Sequence, residues 1–208
     1  MSQSAKLARR LGATIRDPRV LEAIAALPRE RFVPASEQDS AYKNVALPIA
    51  CGQTISQPVL VARMLELLEL RPDDRVLDVG TGSGYHAALL ARLVAHVWTV
   101  ERIPELSHRA QLATAALGID NVTFVVADGA EGIPSAAPFD AINVAAAGEA
   151  VPPALEAQLA PGGRLVAPVG DEQQHLVFVR RGDQSLERLQ LEPVRFVPLV
   201  SDPETGVG

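Results

Sequence analysis

The stretch VLDVGTGSGY, residues 76–85, sets Gly80, Gly82 and Gly84 between a short apolar run and the helix-forming segment HAALLARLV. A strand, a glycine-rich turn and a helix in that order make a loop whose backbone can approach a ligand with no Cβ in the way. The start of the following helix also attracts an anionic group such as a carboxylate or phosphate.

Outward from this loop the same rhythm repeats. RVLDVG, HVWTVE, VTFVVAD, FDAINVAA and GGRLVAPVG are Val- and Ile-rich, and segments of helical composition at 85–94, 104–117 and 152–159 separate most of them. Strand alternating with helix predicts an α/β fold, a doubly wound, mostly parallel Rossmann-like sheet covered on both faces. After Gly170 the alternation stops, and HLVFVRRGDQSLERLQLEPVRFVPL reads as two strands around an Arg-Gly-Asp turn, an antiparallel C-terminal edge.

The first seventy or so residues read as a helical extension. In DPRVLEAIAALPRERF, Asp17 caps, Pro18 suits the first turn, and Val20, Leu21, Ile24 and Leu27 recur at helical spacing. SQPVLVARMLELLEL repeats the pattern, with Ser56 or Gln57 as cap, Pro58 in the first turn, and Leu60, Met64, Leu67 and Leu68 as the stripe. One domain over 1–208 is expected: an extension at 1–70, a cofactor-binding core at 71–170, C-terminal strands at 171–200 and a loose tail at 201–208.

Composition excludes several function classes. Of 208 residues, 48% are hydrophobic and 21% charged, which is a globular balance, and the net charge of -6 with no basic run disfavours a nucleic-acid partner. Cys51 is the single cysteine, so no intrachain disulfide can form, and a reducing compartment fits. The opening MSQSAKLARRLGATIRDPRV lacks an apolar signal run and no segment is long enough to span a bilayer, so a cytoplasmic, membrane-free protein is expected, and a monomer is expected with it. His86, His96, His108 and His175 show no metal-ligand spacing and read as surface, strand-end or hairpin residues; Trp98 and Phe124 read as core or its edge, and Cys51 as an inert thiol.

In such a sheet, ligands bind at the carboxyl ends of the strands where strand order reverses, beside the glycine loop. Glu101 closes the second strand about twenty residues on, where a carboxylate can accept hydrogen bonds from a ribose diol, so a nucleoside-bearing cofactor is expected. The dinucleotide fingerprint wants its third glycine where this chain has Tyr85, and it has no use for Asp78 two residues before the first glycine; NAD is disfavoured. The pattern D-x-G-x-G-x-G resembles the first motif of the S-adenosylmethionine-dependent methyltransferases. That resemblance implies S-adenosyl-L-methionine as cofactor, with Asp78, Gly80, Thr81, Gly82, Ser83 and Gly84 at its methionine end and Glu101 at the ribose. It also gives Asp128 to the adenine amino group, with the Gly129 backbone nearby, although ADG in isolation would be a plain turn.

GQTISQP, residues 52–58, taken alone is a polar helix entrance in which Ser56 bonds exposed backbone N–H groups. Together with FVP, AYKNVALPI, VERI, PFDAINVAAA, PPALEAQLAPGGRLVAPVG and VRFVPL, in this order and spacing, it resembles the protein-L-isoaspartate O-methyltransferases along nearly the whole chain. The resemblance implies methyl-esterification of the free carboxylate of L-isoaspartyl residues, and more weakly D-aspartyl ones, in damaged proteins and peptides. It gives the catalytic role to Ser56, and places Thr54, Ile55 and Gln57 at the junction of acceptor and cofactor. The loop Ala145, Ala146 and Ala147 would offer backbone donors to the peptide.

Such chemistry asks little of side chains. A carboxylate with a pKa near 4 is already ionised at neutral pH, so Ser56 is expected to orient the acceptor and not to remove a proton. Family members commonly carry Tyr, Gly and Thr where this chain has Val59, Ala50 and Ala145, departures that bear on the acceptor pocket and leave open another carboxylate acceptor, such as an aspartate in a biosynthetic peptide. A nucleotide-binding module without catalysis is the rival from a different class.

Overall fold

The computed structural model describes residues 1–200, so the expected tail lies outside the described residues. The chain opens with α1 (Gln3–Leu11) and α2 (Pro18–Ala26), continues through a short hairpin of β1 (Leu47–Pro48) and β2 (Thr54–Ile55), and reaches α3 (Pro58–Leu67). Then follow β3 (Arg75–Val79), α4 (Tyr85–Ala91), β4 (His96–Glu101), α5 (Pro104–Ala115), β5 (Val122–Val126), β6 (Phe139–Val144), α6 (Pro153–Ala157), β7 (Leu159–Val169), β8 (Gln174–Arg181) and β9 (Leu186–Val194).

The last seven strands form one sheet in the order β5-β4-β3-β6-β7-β8-β9. Neighbours from β5 to β7 run parallel, while β7, β8 and β9 pair antiparallel, as the loss of alternation after Gly170 predicts. Strand order reverses between β3 and β6, and the crevice expected at that point lies beyond their carboxyl ends.

Alternation within each parallel strand divides the core. Val76, Val97, Ala141 and Val166 face a layer built by the N-terminal helices, α3 and α4, whereas Leu77, Val100, Ile142 and Leu165 face Leu155 of α6 and the turns around Ile133. Both faces are covered, which is why four of the five residues of β3 are buried. Between β5 and β6 the connection is two short 3-10 turns and not a helix.

Helix entrances follow the sequence in one case and not in the other. Asp17 caps α2, its carboxylate accepting from Arg19 N at 2.8 Å, with Pro18 in the first turn. At α3 neither Ser56 nor Gln57 caps: Gln57 holds the N-cap position without a side-chain bond, and Asn44 Oδ1 accepts from Val59 N at 3.0 Å instead. A distant asparagine therefore takes the duty expected of Ser56. The far end of α3 is fastened by Arg164, which donates to the Leu68 and Glu69 carbonyls and pairs with Asp74 at 2.6 Å.

Candidate active site

Beyond the carboxyl ends of β3, β4 and β6 lies a crevice of about 400 Å³, a size suited to one small-molecule ligand. Its floor is the glycine loop. Gly80 (φ 89°) and Gly82 (φ 53°) lie in the left-handed region that side chains avoid, so the backbone turns tightly and presents N–H groups without bulk. Gly129 closes another wall, where an added Cβ would stand 2.7 Å from Val79 Cγ1.

Glu101 enters from the end of β4, 8% exposed. One oxygen accepts from Gly82 N at 2.9 Å and the other from Ile103 N at 3.0 Å, so this carboxylate pins both the loop and the turn into α5. A carboxylate offers about four lone-pair positions, which leaves acceptor capacity for a ligand hydroxyl.

Asp78 is not brought to the crevice. It is fully buried in β3, in register with Thr99 on one side and Asn143 on the other, so the three polar side chains form a row beneath the loop. Thr99 Oγ1 donates to Asp78 at 2.9 Å and Asn143 Nδ2 donates at 2.8 Å. Because the Thr99 proton is spent on Asp78, the 2.6 Å bond between Thr81 and Thr99 must run from Thr81, and the row thereby orients a hydroxyl of the crevice wall. Burial, only partly offset by these donors, pushes the Asp78 carboxyl up to about 6.

A pH dependence of stability follows. The folded state binds the Asp78 proton more tightly than the unfolded chain, so this group's contribution is greatest below pH 4 and is lost as pH rises towards 6. Asp78→Asn removes the titration. Parent stability minus variant stability, from urea unfolding, is expected to fall between pH 4 and pH 6 and then level off; a pH-independent difference would contradict the assignment.

Other expected residues also sit elsewhere, for identifiable reasons. Gly84 (φ 85°) is buried against α5, where a Cβ would come within 2.8 Å of Ala110 Cβ, so it serves helix packing and not the ligand wall. Asp128 caps the turn after β5, accepting from Ala130 N at 2.9 Å, and Gly129 in its place lines the crevice. Ala145 N donates to Val79 O and Ala147 N to Val197 O, both at 2.8 Å, so neither amide is left for a peptide. Ala146, which lines the wall, has an N–H with no partner among the described residues. Gln57 also lies outside the lining.

Thr54, Ile55 and Ser56 form the rim opposite the glycine loop. With Asn44 capping α3, the Ser56 hydroxyl has no bonding partner among the described residues, and Ser56 lines the crevice.

Several wall residues carry no local signal in the sequence. Val197, Pro198, Leu199 and Val200 form a strap held by Ala147, which accepts from Leu199 N at 2.7 Å. VRFVPL marks that strap by resemblance, but nothing in its composition points to a site. His86, expected at a surface, is 7% exposed and lines the crevice; burial pulls it down to about 4, so the ring is neutral at pH 7. Cys51 is exposed with its thiol pushed up, by desolvation first and then by Glu105, as befits an unreactive group. Among the described residues no cluster of His, Cys, Asp and Glu is placed to hold a metal ion.

Residues 3–204 match the profile of the family described as Protein-L-isoaspartate(D-aspartate) O-methyltransferase. Proteins named protein-L-isoaspartate O-methyltransferase from Sodalis glossinidius and Serratia proteamaculans are each 53% identical over 186 residues, 89% of this chain and 89% of theirs. A solved protein-L-isoaspartate O-methyltransferase superposes with a TM-score of 0.87 at 29% identity, covering 94% of this chain, which in turn spans 65% of that longer one. A Plasmodium falciparum chain assigned to the same enzyme class, in complex with S-adenosyl-L-homocysteine, gives a TM-score of 0.85 at 24% identity over 97% of this chain, a likeness of fold.

Proposed function

The chain belongs to the protein-L-isoaspartate(D-aspartate) O-methyltransferase family, and from that footing we propose that it methylates the free carboxylate of L-isoaspartyl residues in damaged proteins and peptides, initiating their repair. The observation that carries this reading is the meeting, in one crevice, of the glycine loop, Glu101 and the uncommitted hydroxyl of Ser56.

The residues present fit S-adenosylmethionine. Gly80, Gly82 and Gly129 leave a cradle that side chains would fill, Glu101 supplies an acceptor for a ribose diol, and Ile103, Val197 and Leu199 give apolar flanks to a base. When bound, the cofactor supplies a methyl group already activated by a sulfonium. The protein has to orient a carboxylate that is ionised without help, which is a positioning task worth several kcal/mol. Ser56 suits it as a neutral donor: a hydroxyl directs the carboxylate, whereas a bidentate guanidinium would hold its charge and blunt attack. Ala146 N–H would add a second donor, and the Asp78 row supports Thr81 beneath the loop.

The proposal is for a monomer acting on protein and peptide acceptors without nucleic acid or a membrane, in keeping with a net charge of -6 and no basic run. Among the described residues no helix is long and apolar enough to cross a membrane. A cytoplasmic location is proposed with it, supported by the single cysteine, which fits a reducing compartment.

Peptides identical except for an isoaspartyl or an aspartyl linkage, incubated with methyl-labelled cofactor, test the function. Label is expected in the isoaspartyl member; label confined to aspartyl peptides or small acids would transfer the activity to another acceptor, and no label at all would favour the non-catalytic reading.

A further inference from the structure

Arg29 is fully buried, and its guanidinium has no carboxylate within ion-pair distance among the described residues. Burying an unpaired charge is costly, and an apolar side chain of the same volume would fill the space with less penalty. Burial accordingly lowers the Arg29 pKa, with Tyr85 as the first opposing influence.

The bonds of Arg29 show what the charge is kept for. Nη2 donates to the Ser56 carbonyl at 2.8 Å and Nε donates to the Ala41 carbonyl at 2.8 Å. The guanidinium carbon stands 4.8 Å from the ring centroid of Tyr85, the first residue of α4 after the glycine loop. Phe32 packs edge-on against the same ring at 5.3 Å. One planar fork therefore touches the loop that carries Ser56, the chain leading into the β1–β2 hairpin, and the helix that begins at the cofactor loop.

Ser56 needs such a tether. It lies in the connection from β2 to α3, and among the described residues its side chain makes no bond that would fix the backbone. We propose that Arg29 is a positioning residue for methyl transfer, holding the Ser56 carbonyl so that the serine hydroxyl keeps its place against the cofactor loop. The inference rests on the proposed function and adds to it a residue outside the crevice wall. Lysine cannot substitute fully, because a point charge cannot bond two carbonyls in fixed directions while stacking on a ring.

The full-length parent, Arg29→Met and Arg29→Lys are compared on an isoaspartyl peptide at saturating S-adenosylmethionine, with S-adenosylhomocysteine affinity read by calorimetry. Both variants are expected to bind S-adenosylhomocysteine within about 3-fold of the parent, while kcat falls about 30-fold for methionine and about 5-fold for lysine, with a much smaller change in peptide KM. A parental kcat in either folded variant overturns the proposal. So does a parallel loss of cofactor affinity and turnover, the mark of a purely structural role. Should the methionine chain fail to fold, the lysine comparison decides by the same two criteria. An inactive parent overturns the proposed function and this inference with it, whereas an active parent with equally active variants overturns the inference alone.

Discussion

Ser56→Ala is expected to lower turnover on an isoaspartyl peptide by roughly 100-fold to 1000-fold, the range seen when one preorganised donor is removed from a reacting group. S-adenosylhomocysteine affinity should stay within a factor of about 3, because Glu101 and the glycine loop, which the proposal assigns to the cofactor, are untouched. Stability should also change little. The hydroxyl has no partner among the described residues to lose, and Asn44 caps α3 in its place. Steady-state kinetics with calorimetry separates these effects. Undiminished turnover would remove Ser56 from the mechanism, and a large stability loss would mean that the hydroxyl serves the fold.

The second large effect is on cofactor binding. Glu101→Ala deletes the acceptor proposed for the ribose and also frees the N–H groups of Gly82 and Ile103, which shape the floor and one wall of the crevice. Hydrogen bonds to a charged group contribute about 1.5 to 3 kcal/mol each, so affinity for S-adenosylhomocysteine should fall by about 3 kcal/mol, on the order of 100-fold. Glu101→Gln can accept one of the two backbone bonds and should lie between the parent and the alanine variant. Calorimetric affinity unchanged in Glu101→Ala would mean that this carboxylate supports the loop without reaching the ligand.

The glycine loop was legible because its physics is local: three positive φ angles in a short strand-to-helix turn select glycine wherever that turn occurs. The sheet was legible for a similar reason, since strands buried on both faces read as unbroken apolar runs. Features made by residues far apart in the chain were not. Nothing near Asn44 signals that it will cap a helix fifteen residues on, so the sequence offers Ser56 or Gln57 for that duty. Gly84 looks like Gly80 and Gly82 in the string, yet only its contact with Ala110 reveals a packing role. Asp78 is polar at a strand end, but the register with Thr99 and Asn143 buries it beneath the glycine loop. The strap at 197–200 and the inward-facing His86 likewise depend on which segments return to the crevice, and periodicity does not carry that information.

A crystal structure of the chain with S-adenosylhomocysteine and an isoaspartyl peptide tests the account most directly. The ribose hydroxyls are expected on Glu101 above the glycine loop, and the acceptor carboxylate within about 3 Å of Ser56 Oγ, an ordinary hydrogen bond. A nucleoside bound away from Glu101, or a carboxylate held by other groups with Ser56 turned from it, would contradict the account.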